Sequence, residues 1–189
     1  MSKLQNVTGA DAFCAGLLYN GEKEGTHMEI RPLTLQDDLR AVGEVYAEGW
    51  KSAYQRILPQ RFLDKLNYER WSAVLHADPS ATVGLFEEGR LLGAATIGYQ
   101  REEGREGFGE IMSLYLLPEC IGQGYGTALL SAAEAKLRED GCEGVTVWVM
   151  NANTKAISFY LRKGYRPSGR MQSERYGEAT VDLMELMKN

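Results

Sequence analysis

Residues 110–130 read EIMSLYLLPECIGQGYGTALL, and the order of residue types in this stretch decides the fold class. Ile111 to Leu117 is an apolar run of strand length, and Pro118, with no N–H to give a ladder, ends it. Gly122, Gly124 and Gly126 then strip side chains from the turn and from the start of the following segment, so that backbone N–H groups can approach a ligand closely. Leu129, Ala133 and Leu137 recur at helical steps. The order is strand, glycine turn, helix, and the first turn of that helix suits an anion.

The glycine spacing narrows the anion. A phosphate loop of the G-x-x-x-x-G-K-[ST] type is absent, because no lysine follows these glycines to hold a terminal phosphate. A dinucleotide fingerprint would have a third glycine where Thr127 stands and an acidic residue at the end of the next strand, which instead runs into Asn151.

Working downstream, Gly141 stops the helix, and Val145 to Met150 is apolar on both parities, as a strand buried on both faces requires. Strand, helix, strand predicts that Ile111–Leu117 and Val145–Met150 are parallel neighbours. Asn151 to Thr154 caps a short helix that closes at Gly164, and Tyr165 to Met187 reads as two strands around Ser173 to Gly177. Upstream, Met28 to Leu33 is a strand, and Thr34 with Asp37 resembles a capping box. Leu35, Leu39, Val42, Tyr46, Trp50 and Ala53 form one helical face, and Gln60 to His76 continues as a second helix. Ala81–Glu87 and Leu91–Gln100 flank Glu88-Gly89 as a hairpin, and Arg101 to Gly107 reads as a solvated turn. His76 suits a helix C-terminal cap better than a catalyst.

Two motifs, G-x-G-x-G after a strand that ends in Pro and then Asn153…Ala156-x-x-Phe159-Tyr160-x-x-x-Gly164-Tyr165, resemble the GCN5-related N-acetyltransferase family over roughly Met28 to Lys188. The resemblance implies an α/β fold with a mixed, mostly antiparallel sheet, a splayed parallel central strand pair and flanking helices. It implies acetyl-CoA as acyl-donor co-substrate and no metal. By that resemblance the strand binds the pantetheine arm through Leu114 and Leu116, and the run Ile121, Gly122, Gln123, Gly124, Tyr125, Gly126 and Thr127 holds the pyrophosphate, with Asn153 and Tyr160 beside it. Ile121 departs from the Gln or Arg usual at its position, which touches a side-chain contact and leaves the backbone cradle intact.

Transfer of an acetyl group to an amine needs a base for the amine, polarisation of the carbonyl and a proton for the leaving thiolate. Tyr160 is the expected proton donor, against the alternative that it only packs with Phe159. Glu110 is the expected base. It has the parity of Met112, Leu114 and Leu116, which would put one carboxylate on an apolar face; a solvent-facing strand end is the competing reading. Cys120 reads as a small apolar loop residue, since no basic partner lies nearby in sequence. Trp50 and Tyr54, one helical turn apart, either fill core or wall a substrate pocket. The expected acceptor is a primary amine on a small molecule; a protein N-terminus or lysine, or a non-catalytic acyl-CoA-binding module, are the alternatives.

Bulk properties agree. The 189 residues are 44% hydrophobic, enough for one core, and a formal net charge of −5 gives nucleic acid or an anionic membrane no basic surface. Three scattered cysteines and two histidines form neither a disulfide framework nor a metal pattern, and no apolar run reaches membrane-spanning length, so a cytoplasmic protein is expected. Residues 1–27 read as an N-terminal extension and 28–189 as the acetyltransferase domain. A homodimer is compatible with all of this.

Overall fold

The computed structural model describes residues 19–23, 25–99 and 105–189. Eight strands form one sheet: β1 (Tyr19–Lys23), β2 (Thr26–Pro32), β3 (Thr82–Glu87), β4 (Arg90–Tyr99), β5 (Phe108–Leu116), β6 (Gly144–Met150), β7 (Arg166–Tyr176) and β8 (Ala179–Lys188). Their spatial order is β1-β2-β3-β4-β5-β6-β8-β7, and β5–β6 is the parallel pair among antiparallel neighbours. Helices α1 (Leu39–Tyr54), α2 (Gln60–Leu63) and α3 (Glu69–Ala77) bury their apolar sides with Ala94, Met150 and Leu183 on one sheet face. Leu129, Ala133 and Leu137 of α4 (Tyr125–Glu139), with Tyr160 of α5 (Thr154–Arg162), pack with Ile111, Val145, Val147 and Val149 on the other. This is the mixed sheet with a central parallel pair and flanking helices that the motifs imply. No described helix is long and apolar enough to cross a membrane.

Several boundaries differ from expectation for local reasons. The limit expected between residues 27 and 28 falls inside β2, and Tyr19–Lys23 pairs along β2 across a turn at Gly25, where φ is +81°. A short polar edge strand carries little hydrophobic pattern, which hides it in the sequence. Residues 1–18 and Glu24 of the expected extension, Gln100 of the expected strand, and Arg101 to Gly104 of the expected solvated turn lie outside the described residues. The second helix is two helices, broken between Leu63 and Glu69, where the Asn67 carboxamide oxygen accepts from the N–H of Glu69. The last hairpin turns at Gly177-Glu178, so Ser173 lies within β7. The β3–β4 turn matches expectation: Glu88 and Gly89 both have positive φ, which suits the twist of a two-residue hairpin.

The start of α1 shows how tertiary partners redirect a cap. Asp37 receives the Arg31 guanidinium at 2.7 and 2.8 Å and the N–H of Thr34 at 2.7 Å. The Arg31 hydrogen bond holds its pKa below the usual carboxylate range. Asp38 therefore caps the helix, accepting from the N–H groups of Arg40 and Ala41 at 3.1 Å, and Leu35 falls outside the helix, 68% exposed. Asp38→Ala is expected to lower stability by about 1 kcal/mol, the usual cost of an N-cap. Chemical denaturation would read this as a lower midpoint at constant slope.

Candidate active site

The parallel pair is short. β5 and β6 pair only from Phe108–Glu110 to Gly144–Thr146, and the Thr146 hydroxyl donates to the carbonyl of Gly109 at 3.2 Å. Beyond that, β5 continues alongside β4 and β6 alongside β8, so a wedge opens with Glu110 and Thr146 at its apex. Ile97 pairs with Ile111 and Thr96 with Ser113, which leaves Met112 as an extra residue in β5. Such a bulge bends its strand, here beside the opening, and it shifts the side-chain alternation by one residue.

That shift corrects the parity expected for Glu110. Leu114 and Leu116 pack with the α4–α5 side of the core. Glu110 instead pairs with Gly98, two residues from the Thr96 that is hydrogen-bonded to Tyr46 of α1, and with Thr146, whose same-face neighbours Trp148 and Met150 pack toward α1 and α2. Glu110 thus lies on the α1 face of the sheet, half buried, opposite Leu114 and Leu116.

The glycine turn follows a 3₁₀ segment, Pro118–Cys120, whose Cys120 is buried in the core as an apolar residue would be. Ile121 is extended and 61% exposed. Gly122 (φ +87°) and Gly124 (φ +90°) both occupy the left-handed region, and Gly124 is the N-cap of α4 with no side chain to cap it. The N–H groups of Gly122, Gly124 and Gly126 make no hydrogen bond among the described residues, and a Cβ at Gly122 would meet nothing within 4 Å. Other residues of the run are committed to the fold. Gln123 donates to the carbonyl of Glu119 at 2.8 Å, Tyr125 is buried with its hydroxyl donating to Glu87 at 2.5 Å, and the Thr127 N–H returns to the carbonyl of Gly124 at 3.0 Å. What the turn offers is main chain, open to solvent, at the positive end of a 15-residue helix.

Asn153 is the N-cap of α5, its side-chain oxygen accepting from Ala156 N–H at 3.1 Å. Tyr160 is buried, and its ring meets Phe159 and Tyr165 edge-on at 5.2 Å each. Burial, with Tyr54 and Glu134 adding to it, pushes the Tyr160 pKa up, so the hydroxyl keeps its proton at neutral pH.

On the α1 face, Trp50 and Tyr54 join a cluster that their sequence neighbours did not announce. Trp50 meets Tyr54 edge-on at 4.8 Å and, tilted, Tyr176 at 5.4 Å, Tyr115 at 6.3 Å, Phe62 at 6.4 Å and Trp71 at 6.5 Å between ring centroids. The hydroxyls of Tyr54 and Tyr115 meet at 3.2 Å, tying α1 to β5. The Arg70 guanidinium carbon stands 5.8 Å from the centroids of Trp50 and Phe62 and 6.0 Å from that of Trp71. Six aromatic rings from α1, α2, α3, β5 and β7 therefore gather on the sheet face that carries Glu110. Glu185 on the same face is fully buried and held by Arg105 at 2.5 and 3.2 Å. Its burial opposes ionisation, but the hydrogen bonds from Arg105 and Ser168 win, and its pKa falls. The signal for Glu185 was legible as one charge inside the apolar run Leu183 to Met187; the aromatic cluster had no such signal, because its members are far apart in sequence.

The sequence profile of the Acetyltransferase (GNAT) family matches residues 40–165. An uncharacterized N-acetyltransferase, YuaI of Bacillus subtilis strain 168, is 32% identical over 155 residues, 79% of this chain and 86% of its own. The chain belongs to the GNAT acetyltransferase family. A spermidine N(1)-acetyltransferase of Thermoplasma acidophilum is 25% identical over 74% of this chain and 88% of its own length. Among solved structures, the PaiA N-acetyltransferase of Thermoplasma acidophilum in complex with coenzyme A superposes with a TM-score of 0.65 at 24% identity, over 84% of this chain and 97% of that one, which shows the shared fold.

Membership makes the protein an acetyltransferase and accounts for both sequence motifs. The first is the turn whose Gly122, Gly124 and Gly126 N–H groups are unbonded among the described residues, and the second is the helix capped by Asn153 that carries Tyr160. Among the described residues, no group of three or more His, Cys, Asp or Glu side chains is arranged to hold a metal ion.

Proposed function

We propose that this GNAT enzyme takes its acetyl group from acetyl-CoA and delivers it to a primary amine of a small molecule. The observation that carries the proposal is the wedge between β5 and β6, which opens directly past Glu110 and beside the bare N-terminus of α4. The N–H groups of Gly122, Gly124 and Gly126 would hold the pyrophosphate, because each is unbonded among the described residues and the space beside Gly122 is clear of side chains. Leu114 and Leu116, on the strand edge that β6 leaves, would line the pantetheine arm. Acetyl-CoA supplies a thioester, in which the amine nitrogen displaces sulfur: a C–N bond forms and the C–S bond breaks.

Within that frame the chain's own groups manage the protons. Glu110 takes the proton that the acceptor ammonium must lose before its nitrogen attacks, directly or through water. Main-chain N–H groups on the open edge of β5 donate to the acyl oxygen as its charge grows. Tyr160 gives its hydroxyl proton to the departing sulfur and regains one from the second proton that the acylated nitrogen sheds, directly or through water; its raised pKa keeps that proton available across the working pH range. The Phe62 ring of α2 lies 5.8 Å from the Tyr176 ring of β7, so α2 and the last hairpin meet at the aromatic cluster; this suits a compact acceptor better than an extended polypeptide.

Release of free thiol from acetyl-CoA, measured against a panel of small amines, tests the reading; release with none of them, alongside intact cofactor binding, would point to a binding module. Tyr160→Phe is expected to keep acetyl-CoA affinity and lose roughly 100-fold in kcat, the lower end for removal of a general acid. Wild-type turnover in that variant would make Tyr160 a packing residue.

A further inference from the structure

We infer that the acceptor amine also carries an anionic group, and that Arg70 reads it; the inference rests on the amine-acetylation reading above. Arg70 is exposed in the first turn of α3, where the helix dipole disfavours a cation. In a chain with 26 acidic and 21 basic side chains, carboxylate partners are plentiful. Arg31, Arg90 and Arg105 each have one, in Asp37, Glu119 and Glu185. Arg70 has none among the described residues: its neighbours are the faces of Trp50, Phe62 and Trp71. Three rings hold the guanidinium by cation–π attraction and leave its planar fork of donors for an incoming oxyanion.

The same arrangement argues against a polycation. An ammonium seeking these aromatic faces would find a guanidinium already over them and be repelled by it. Trp50 is the shared neighbour of Arg70 and of Tyr115, at 5.8 and 6.3 Å from its centroid, and Tyr115 belongs to the strand that bounds the wedge. The indole of Trp50 and the ring of Tyr115 thus stand between the cation and the strand that borders the reacting end. The fitting acceptor has its amine and its oxyanion at opposite ends of a short apolar body. Carboxylate and phosphonate share this chemistry.

Steady-state kinetics of the full chain with an ω-aminoalkanoate, its carboxamide, an ω-aminoalkylphosphonate and spermidine test the assignment. The anionic acceptors are expected to exceed the carboxamide by about 10- to 100-fold in kcat/KM, the range of a hydrogen bond to a charged group. The faster of the two identifies the oxyanion. Arg70→Gln should shrink that ratio by the same factor, and Arg70→Lys should restore part of it, since charge returns without the fork. Indole fluorescence offers a second readout, because Trp50 and Trp71 flank Arg70: titration with the N-acetylated anionic product should change the emission of wild type and not of Arg70→Gln. A wild-type enzyme that prefers the carboxamide or spermidine, or a ratio unmoved in Arg70→Gln, overturns the Arg70 assignment while amine acetylation stands. If no amine in the panel is acetylated, fluorescence decides: an Arg70-dependent change still supports the anion subsite, and no change removes it together with the amine reading.

Discussion

Replacing Gly126 by aspartate is expected to abolish acetyl-CoA binding while leaving the fold as stable as before. Gly126 is not among the glycines with positive φ, so an L-residue fits its backbone. An added Cβ would sit 3.6 Å from Leu116 and 3.8 Å from Phe159, which is ordinary contact. A carboxylate in the first turn of a helix stabilises that helix through its dipole. The same carboxylate would stand where the pyrophosphate is proposed to bind, and like charges in contact cost several kcal/mol, about 100-fold or more in affinity. Gly124→Asp would be a poorer test, since at φ +90° any side chain adds backbone strain to the repulsion. Calorimetric titration with acetyl-CoA, paired with thermal unfolding, separates the two effects. Unchanged affinity in a folded Gly126→Asp protein would move the cofactor away from this turn.

Glu110→Gln is expected to lower kcat/KM by about 10²- to 10⁴-fold at neutral pH, the span that general-base removal gives. The substitution keeps shape and hydrogen-bonding reach but cannot take a proton. A base works only when deprotonated, so the wild-type rate should rise with pH through the pKa of Glu110, and that limb should vanish in the variant. Raising the pH further converts more acceptor ammonium to free amine in solution, so the variant should recover part of its rate there. The affinity for acetyl-CoA should hold, because the glycine turn proposed to cradle the pyrophosphate lies at the far end of the strand. A variant with the wild-type rate and an unmoved pH profile would take Glu110 out of the mechanism.

The glycine turn, the strand that ends at Pro118, the double-sided β6 and the helix capped by Asn153 were all legible in the sequence. Each is a local feature, determined by residues a few positions apart: glycines that tolerate φ near +90°, a proline that cannot pair, an Asn that caps its own helix. The same locality explains the misplaced start of α1. Thr34 and Asp37 have the spacing of a cap, but Arg31 reaches from β2 and claims Asp37, so Asp38 takes the role. Only the tertiary structure decided which face Glu110 occupies. Alternation along an unbroken strand puts it with Leu114 and Leu116, and the bulge at Met112, which arises from pairing with β4, turns it to the side of α1. The aromatic cluster is of the same kind. Trp50, Phe62, Trp71, Tyr115 and Tyr176 come from five elements, and no spacing along the chain encodes a meeting that the packing of three helices and the last hairpin on one sheet face brings about. Sequence alone thus determined the family and the glycine turn, because both rest on backbone conformation within one strand–turn–helix unit, while the aromatic cluster proposed to face the acceptor was decided by contacts between residues distant in the chain.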